Sequence, residues 1–297
     1  MQRFLFCLRL CLAVVVSLLN LVLIVGPGCA LCILLQVFSG NVAIEIANFL
    51  AIRFYGQWVC QFREMILGRR ITVEHNLSSV DRKQSIVVFG PHPSLLQSDV
   101  GIGEIMRTLR RIEKGRFRRL VLAGKQELWK EFWPIALGMQ AAGCPFIDRK
   151  NIQKSVRSIK LALKKHKGQP IVAMIFPDGT RGNKKTRAEG ASFARERGRE
   201  DLAAFIENHQ ILLPRRAGLL AYLQSLPPNT LWVFAVITDT KGTRDMSTVW
   251  RLGRAPKLCL SLQVVPPPPE DKDEAQEYLH NLYLRQAGQF ISNVREP

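Results

Sequence analysis

The sequence predicts an α/β fold, a mixed and largely parallel sheet flanked by helices, preceded by an N-terminal membrane helical hairpin. Three observations carry this prediction. No Asp, Glu, Lys or Arg occurs between Leu10 and Ile44. Beyond about residue 70, short runs rich in Val, Ile, Leu and Phe alternate with longer amphipathic stretches. Turn residues stand directly after several of those runs. The 297 residues are 47% hydrophobic and 22% charged, so burial can offset the ordering entropy of a folded domain. Disordered, collagen-like and coiled-coil classes are thereby excluded. The expected division is an anchor over residues 1–45 and an α/β domain over 46–297.

In the anchor, LCLAVVVSLLNLVLIV is long enough for most of a membrane-crossing helix, and a second apolar run, CALCILLQVF, follows Gly26-Pro27-Gly28. A cleaved signal peptide has a single short apolar core, which argues against cleavage here. Gly-Pro-Gly breaks helices, so the two runs are expected to form a hairpin within residues 10–38 that enters the bilayer and returns to its starting side. One long span is the alternative. Arg3 and Arg9 before the stretch, with Arg53, Arg63, Arg69 and Arg70 after it, favour a membrane location with the active domain on the cytoplasmic face. Of the seven cysteines, Cys7, Cys11, Cys29 and Cys32 lie in or beside this stretch. Cys29-x-x-Cys32 lacks a second pair or a His cluster and reads as an apolar pair; no metal is expected.

In the α/β region, strands are expected at Ile71–Glu74, Ser85–Phe89, Arg119–Ala123, Cys144–Ile147, Ile171–Phe176, Ile211–Leu213, Leu231–Ile237 and Leu258–Val265. Helices are expected near 94–113, 126–141, 151–167, 201–209, 216–225 and 273–291. In the third, Ile152, Val156, Ile159 and Leu163 share one face. Pro266–Pro269 forms a stiff joint before the last helix.

Charge narrows the partners. Lys and Arg number 42 against 24 Asp and Glu, a net +18, and the excess is clustered. Arg107 to Arg119 holds seven basic residues, Arg149 to Lys167 holds eight with no acid, and Arg181 to Arg199 holds seven. Solvated surface is the bland explanation of such runs. Beside an apolar anchor, attraction to membrane phospholipid explains them better, at about 1 kcal/mol per basic residue near an anionic surface. No nucleic-acid partner is expected, because aromatics make up only 8% and no nucleic-acid-binding signature stands out.

Three constellations carry chemistry. Gly90-Pro91-His92-Pro93-Ser94 follows the strand Ser85–Phe89 and opens a helix. Pro93 suits a first helical position, and a strand-to-helix turn presents His92 at the sheet edge where ligands bind. The positive end of the helix favours neutral, proton-accepting imidazole. Phe176-Pro177-Asp178-Gly179-Thr180-Arg181 likewise follows a strand, with Asp178 and Arg181 expected at the rim of a tight turn. Arg181 there either grips phosphate bidentately or seals the turn by pairing with Asp178. A weaker third set is Lys125-Gln-Glu-Leu-Trp-Lys130, Phe146-Ile147-Asp148-Arg149 and Leu213-Pro214-Arg215-Arg216-Ala217-Gly218, all of which also fit salt-bridged turns.

The order HPS, KQELW, FIDR, FPDGTR and LLPRRAG behind an apolar N-terminus resembles the glycerolipid acyltransferases typified by 1-acylglycerol-3-phosphate acyltransferase, over roughly residues 85 to 240. Residues 213–238 look most like the lysocardiolipin and lysophospholipid acyltransferase branch. The resemblance implies that His92 is the base that deprotonates the acceptor hydroxyl and that Arg181 binds acceptor phosphate. Lys125 and Arg149 or Arg215 would assist, with Asp178, Gly179 and Thr180 shaping the loop. It further implies a lysophospholipid acceptor, an acyl thioester donor (acyl-CoA or acyl-ACP as co-substrate) and no cofactor. One position departs from the family pattern: Gln97 stands where the family places Asp, and the nearest carboxylate is Asp99. Either an irregular turn after Pro93 draws Asp99 to His92, or Gln97 orients His92 through its amide oxygen, or the chain is a lipid-binding pseudoenzyme. Asp99 is the expected partner, being the sole acid between Asp81 and Glu104.

Overall fold

The structure, a computed structural model, describes residues 2–50, 54, 58–68, 71–78, 80–81, 83–91, 95–114, 118–148, 150–178, 184–209, 211–240 and 257–295. Helix α1 (Gln2–Asn20) runs through a π-helical turn (Leu21–Val25) into α2 (Gly26–Asn48). One helical stretch, Phe4–Asn48, is long and apolar enough by length and composition to cross a membrane.

The break expected at Gly26-Pro27-Gly28 is absent. Gly26 is helical (φ −58°, ψ −59°) and its N–H reaches the Leu21 carbonyl, so the widened π turn carries the chain into a proline that has no donor of its own. The reversal lies instead at Ser39 (φ −156°, ψ 88°). Beyond it the chain runs back along its first arm. A Cβ on Gly28 would lie 2.6 Å from Leu50 Cδ1, whereas residues so spaced in a straight helix stand about 33 Å apart. Further along, Ile66 of α3 (Cys60–Leu67) packs on Phe6, Leu10 and Ala13 of α1. The glycines thus serve close packing here, and the turn is made elsewhere.

A six-stranded sheet follows: β1 (Ile71–His75), β2 (Ile86–Phe89), β3 (Arg119–Leu122), β6 (Ile171–Ile175), β7 (Leu231–Asp239) and β8 (Leu258–Val265), in the order β1-β8-β7-β2-β6-β3. All neighbours are parallel except the antiparallel β7–β8 pair. The strands β2 and β6 are buried throughout, as expected of parallel strands covered on both faces. On one face lies α4 (Leu95–Ile112), whose Ile105, Met106 and Leu109 join Val88, Met174 and Ala235. The other face holds Val87, Phe89 and Ile171 against Ile159 and Leu163 of α7 (Ile152–Lys165), Leu219 and Tyr222 of α10 (Arg216–Leu223), and Leu279 and Tyr283 of the C-terminal helices. Those last helices are α11 (Lys272–Asn281), a π-helical turn (Leu282–Ala287) and α12 (Gly288–Arg295).

Several expected elements differ. The helix expected over 126–141 divides at Phe132 (φ −157°, ψ 71°) into α5 (Leu128–Glu131) and α6 (Trp133–Ala141), because Pro134 opens a new first turn and cannot continue the old one. Of Cys144–Ile147 only β5 (Phe146–Ile147) is strand, paired with β4 (Gly124–Lys125) in a small separate sheet. Cys144 itself covers the edge of β3, where its thiol accepts the Leu122 N–H (3.4 Å). Ile211–Leu213 pairs with no strand among the described residues, since β6 already has β2 and β3 beside it; its apolar character reflects Ile211 in the core. Neither α3 nor the helix α8 (Lys184–Arg195) is expected from the sequence pattern, and the buried stripe of α8 is only Ala191 and Ala194. It stacks on α9 (Glu200–His209), which supplies Leu202, Ala203 and Ile206.

The hairpin docks on the free edge of β3. Asn48, fully buried, accepts the Leu120 N–H (2.8 Å) and donates to the Ala142 carbonyl (3.3 Å). Glu45 pairs with Arg119 (2.7 Å), and Gln36 donates to the Ala141 carbonyl (3.0 Å). Beneath this junction His166 lies 3.4 Å from the Gly143 carbonyl. Burial pushes its imidazole down to about 4, and the Gly143 and Glu45 oxygens only partly oppose the shift. The folded protein therefore keeps His166 neutral down to about pH 4, whereas the unfolded chain takes up that proton below about 6.5. Its contribution to stability falls as pH drops through this window, by up to about 1.4 kcal/mol per pH unit. Chemical denaturation from pH 7 to 4 should show a steeper loss of stability for the wild type than for His166→Gln, and parallel curves would refute this assignment.

Candidate active site

The strands β7, β2, β6 and β3 are adjacent and parallel, so their C-terminal ends form one edge, the place where open α/β sheets bind ligands. Each end carries one of the sequence motifs or a buried polar group. Beyond β2 come Gly90 and Pro91, both buried. Beyond β6 is the turn with Pro177 and Asp178, beyond β3 is Lys125, and Asp239 ends β7.

Gly90 is required by close approach. A Cβ there would overlap the Ala235 carbonyl oxygen and come within 2.9 Å of its carbonyl carbon. The chain leaving β2 is thus pressed against β7 immediately before His92. His92 itself, with Arg149, Gly179, Thr180 and Arg181, lies outside the described residues. Gln97 and Asp99 occupy positions in the first turns of α4, which is helical from Leu95 to Ile112.

Asp178 is buried at 3% exposure, not at the rim where turn chemistry alone puts it, because the surrounding segments close over it. The Arg215 N–H donates to the Pro177 carbonyl (2.8 Å), which brings the LPRRAG segment onto the FPDGTR turn. Gly218 lets α10 approach β6 there, since a Cβ would lie 2.6 Å from Ile175 Cδ1. Tyr283 approaches from the C-terminal π turn, its ring packed on Phe234 (5.8 Å). Burial, with the nearby charge of Asp178, holds its hydroxyl protonated well above the usual range. Tyr283 belongs to no motif, and its placement depends on how the last helix returns to the sheet; sequence reasoning missed it.

Lys125 and Asp148 are neighbours through the β4–β5 pair, where Gln126 N–H donates to the Ile147 carbonyl (3.0 Å). Lys125 Nζ is paired with Glu131 of α5. Asp148 accepts the Lys150 N–H (3.0 Å), and its carbonyl takes the Ser155 hydroxyl (2.7 Å). This turn leads into α7, which Asn151 caps through the Lys154 N–H (2.9 Å). The Cys144 thiol is pushed up to about 12 by burial, so it supplies no thiolate nucleophile. The structure thus groups Asp178 with Arg215, and Lys125 with Asp148, along one sheet edge.

The sequence model of the acyltransferase family matches residues 70–230, more than half of the chain. The chain belongs to the acyltransferase family. No match is found among curated proteins. Among solved structures, this acyltransferase is similar to the 1-acyl-sn-glycerophosphate (LPA) acyltransferase PlsC of Thermotoga maritima, at 13% identity and a TM-score of 0.50, over 90% of this chain and 95% of that one. That likeness concerns the fold. It extends beyond the family-matched residues, over most of both chains.

Gly90→Ala in the acyltransferase should lower stability by about 1–3 kcal/mol and abolish most turnover, as the neighbouring backbone of β7 has no room to yield. Gly40→Ala, where nothing lies within 4 Å, should be close to neutral. Equal denaturation midpoints for the two variants would contradict the close-approach argument.

Proposed function

We propose that the protein moves a fatty acyl chain from an acyl thioester, acyl-CoA or acyl-ACP, to the free hydroxyl of a lysophospholipid, with 1-acylglycerol-3-phosphate as acceptor and phosphatidic acid as product. The observation that carries this reading is the shared sheet edge, where the turn leading to His92 and the turn leading to Arg181 follow the adjacent strands β2 and β6. On this reading a base follows the first of these turns and a phosphate-binding arginine the second. Family membership and the substrate named for the Thermotoga maritima protein support it.

In this mechanism neutral His92 takes the proton of the acceptor hydroxyl as the oxygen attacks the thioester carbonyl. The tetrahedral oxyanion collapses, the C–S bond breaks, and the thiolate leaves with the proton returned by His92. Arg181 holds the acceptor phosphate, with Arg215, Lys125 and Arg149 adding positive charge. A thioester is already activated, so no metal or cofactor is required. His92→Ala should lower acyl transfer at least about 100-fold with folding intact, and Arg181→Lys should mainly raise the KM of the phosphate-bearing acceptor. Labelled acyl-CoA and a panel of lysophospholipids provide the assay. Lysolipid bound without any diacyl product from the wild type would instead identify a pseudoenzyme.

Membrane residence belongs to the same proposal. Phe6, Leu10, Ala13, Ser17, Leu21 and Val25 form the buried stripe of the first arm, while Phe4, Leu8, Leu12, Val15, Leu19 and Leu23 form an equally apolar exposed stripe. At the reversal, Val37 and Phe38 are 85% and 87% exposed. Apolar surface so continuous supports contact with lipid, and the arginines that flank the stretch, Arg9 before it and Arg63 after it, support a catalytic domain on the cytoplasmic face. Leu12→Arg with Leu19→Arg should release the protein from phospholipid vesicles in 1 M salt, where basic patches are screened to about 3 Å. Undiminished sedimentation with vesicles would overturn this part.

A further inference from the structure

Of the three basic runs in the sequence, two are partly neutralised within the fold. In the first, Arg107, Arg118 and Arg119 pair with Glu104, Glu113 and Glu45. In the third, Arg195 pairs with Glu207 (2.8 Å), and Arg199 with Asp201 (2.9 Å) and Glu277 (2.8 Å). The second run is different. It holds eight basic residues and no acid from Arg149 to Lys167, and among its described residues only Lys154 forms an ion pair, with Asp148 at 3.5 Å. Arg157, Lys160 and Lys164 are exposed on the outer side of α7, away from the buried Ile159, Ala162 and Leu163. Together with Ile152, Val156 and Leu161 they line an open groove of about 460 Å³. Ile152 and Leu161 are themselves 62% and 53% exposed, so apolar side chains stand in water among unpaired cations. Lys164 lies in the last turn, where a cation stabilises the helix dipole. Arg157 and Lys160 are too far from that end to do so, and like charges at three- and four-residue spacing repel one another.

The two ends of α7 show where this face belongs. At the first, Lys154 Nζ lies 3.5 Å from the side-chain oxygens of Gln126 and Asp148, on the sheet edge that carries the motifs. The last ends against the anchor: a Cβ on Gly143 would lie 2.9 Å from His166 Nε2 and 3.7 Å from Ile44 Cδ1. The cationic face thus runs from the motif-bearing edge to the hairpin.

We propose that the outer face of α7 is a second membrane contact, selective for anionic phospholipid. Arg157, Lys160 and Lys164 meet the negative headgroups, their alkyl stems lie along the groove, and Ile152 and Leu161 enter the boundary between headgroups and acyl chains. The inference deepens the membrane residence proposed above and rests on it. The hairpin supplies apolar, salt-resistant attachment, whereas α7 supplies the preference for negative headgroups and turns the motif-bearing edge toward them. An open helix face suits an array of headgroups better than a single soluble anion, which needs a concave site. Continuity with the hairpin favours lipid over an acidic polypeptide.

The test is binding of the full-length protein to vesicles of phosphatidylcholine alone and of phosphatidylcholine with phosphatidylserine. The wild type should prefer the anionic vesicles at low salt and lose that preference in 1 M salt, which screens charges to about 3 Å. Arg157→Gln, Lys160→Gln and Lys164→Gln combined should weaken binding to the anionic vesicles on the order of 100-fold, about fivefold for each cation, with binding to phosphatidylcholine unchanged. Lys185→Gln, Arg195→Gln and Arg199→Gln remove the same charge from the internally paired run and should weaken it far less. Equal losses in the two triple variants would reveal an effect of net charge alone and overturn the proposal, as would an undiminished anionic preference without the α7 cations. Loss of polyglutamate binding in the α7 variant, with vesicle binding intact, would overturn it in favour of an acidic protein. Leu12→Arg with Leu19→Arg reads the hairpin separately in 1 M salt: if that variant stays on vesicles, residence through the hairpin fails, while the phosphatidylserine dependence due to α7 is still measured at low salt.

Discussion

The buried amide of Asn48 is the central tie between the N-terminal hairpin and the sheet. Asn48 satisfies the Leu120 N–H on the open edge of the sheet and returns a hydrogen bond to Ala142 after α6. An edge strand with unpaired backbone groups invites association with other chains; here the hairpin closes it with one polar residue embedded among Ala43, Ala47 and Ala141. Glu45 and Arg119 reinforce the contact at the rim. Because β3 also leads to Lys125, the apolar arm and the sheet edge that carries the motifs form one mechanical unit.

Much of the sheet was legible in the sequence because buried parallel strands are short, apolar and β-branched. Ile171–Ile175 and Leu231–Asp239 stand where the pattern puts them, within a residue or two. Segments whose outcome depended on distant partners were less legible. Gly26-Pro27-Gly28 reads as a break from local rules, yet a π turn and contacts with Trp133 and Leu50 keep it helical. Ser39, which carries the reversal, opens Ser39-Gly40-Asn41, a turn-forming triplet less conspicuous than Gly-Pro-Gly. Similarly, Ile211–Leu213 has strand-like composition, but the neighbouring edges of β6 are occupied.

Legibility of the candidate site follows the same division. Motif residues that sit beyond strands, such as Asp178 and Lys125, can be placed at one sheet edge from sequence once the strands are recognised. The depth of Asp178, the approach of Tyr283 and the burial of Asp239 follow from tertiary closure, which no spacing rule expresses. Arg215 is intermediate: its motif is visible, but the hydrogen bond from its backbone to Pro177 is what sets it beside the FPDGTR turn.

On the membrane residence proposed above, the length of the first arm sets how the protein lies in lipid. From Gln2 to Phe38 the helix extends about 55 Å along its axis, nearly twice the roughly 30 Å of a hydrocarbon core. An upright orientation would force apolar turns into water at one end, so mismatch favours an arm lying strongly inclined and taking up area in a single leaflet. Such a wedge inserts more readily where lipid headgroups are already spread apart. On that proposal recruitment should increase with positive membrane curvature and packing defects, linking enzyme density to bilayer shape.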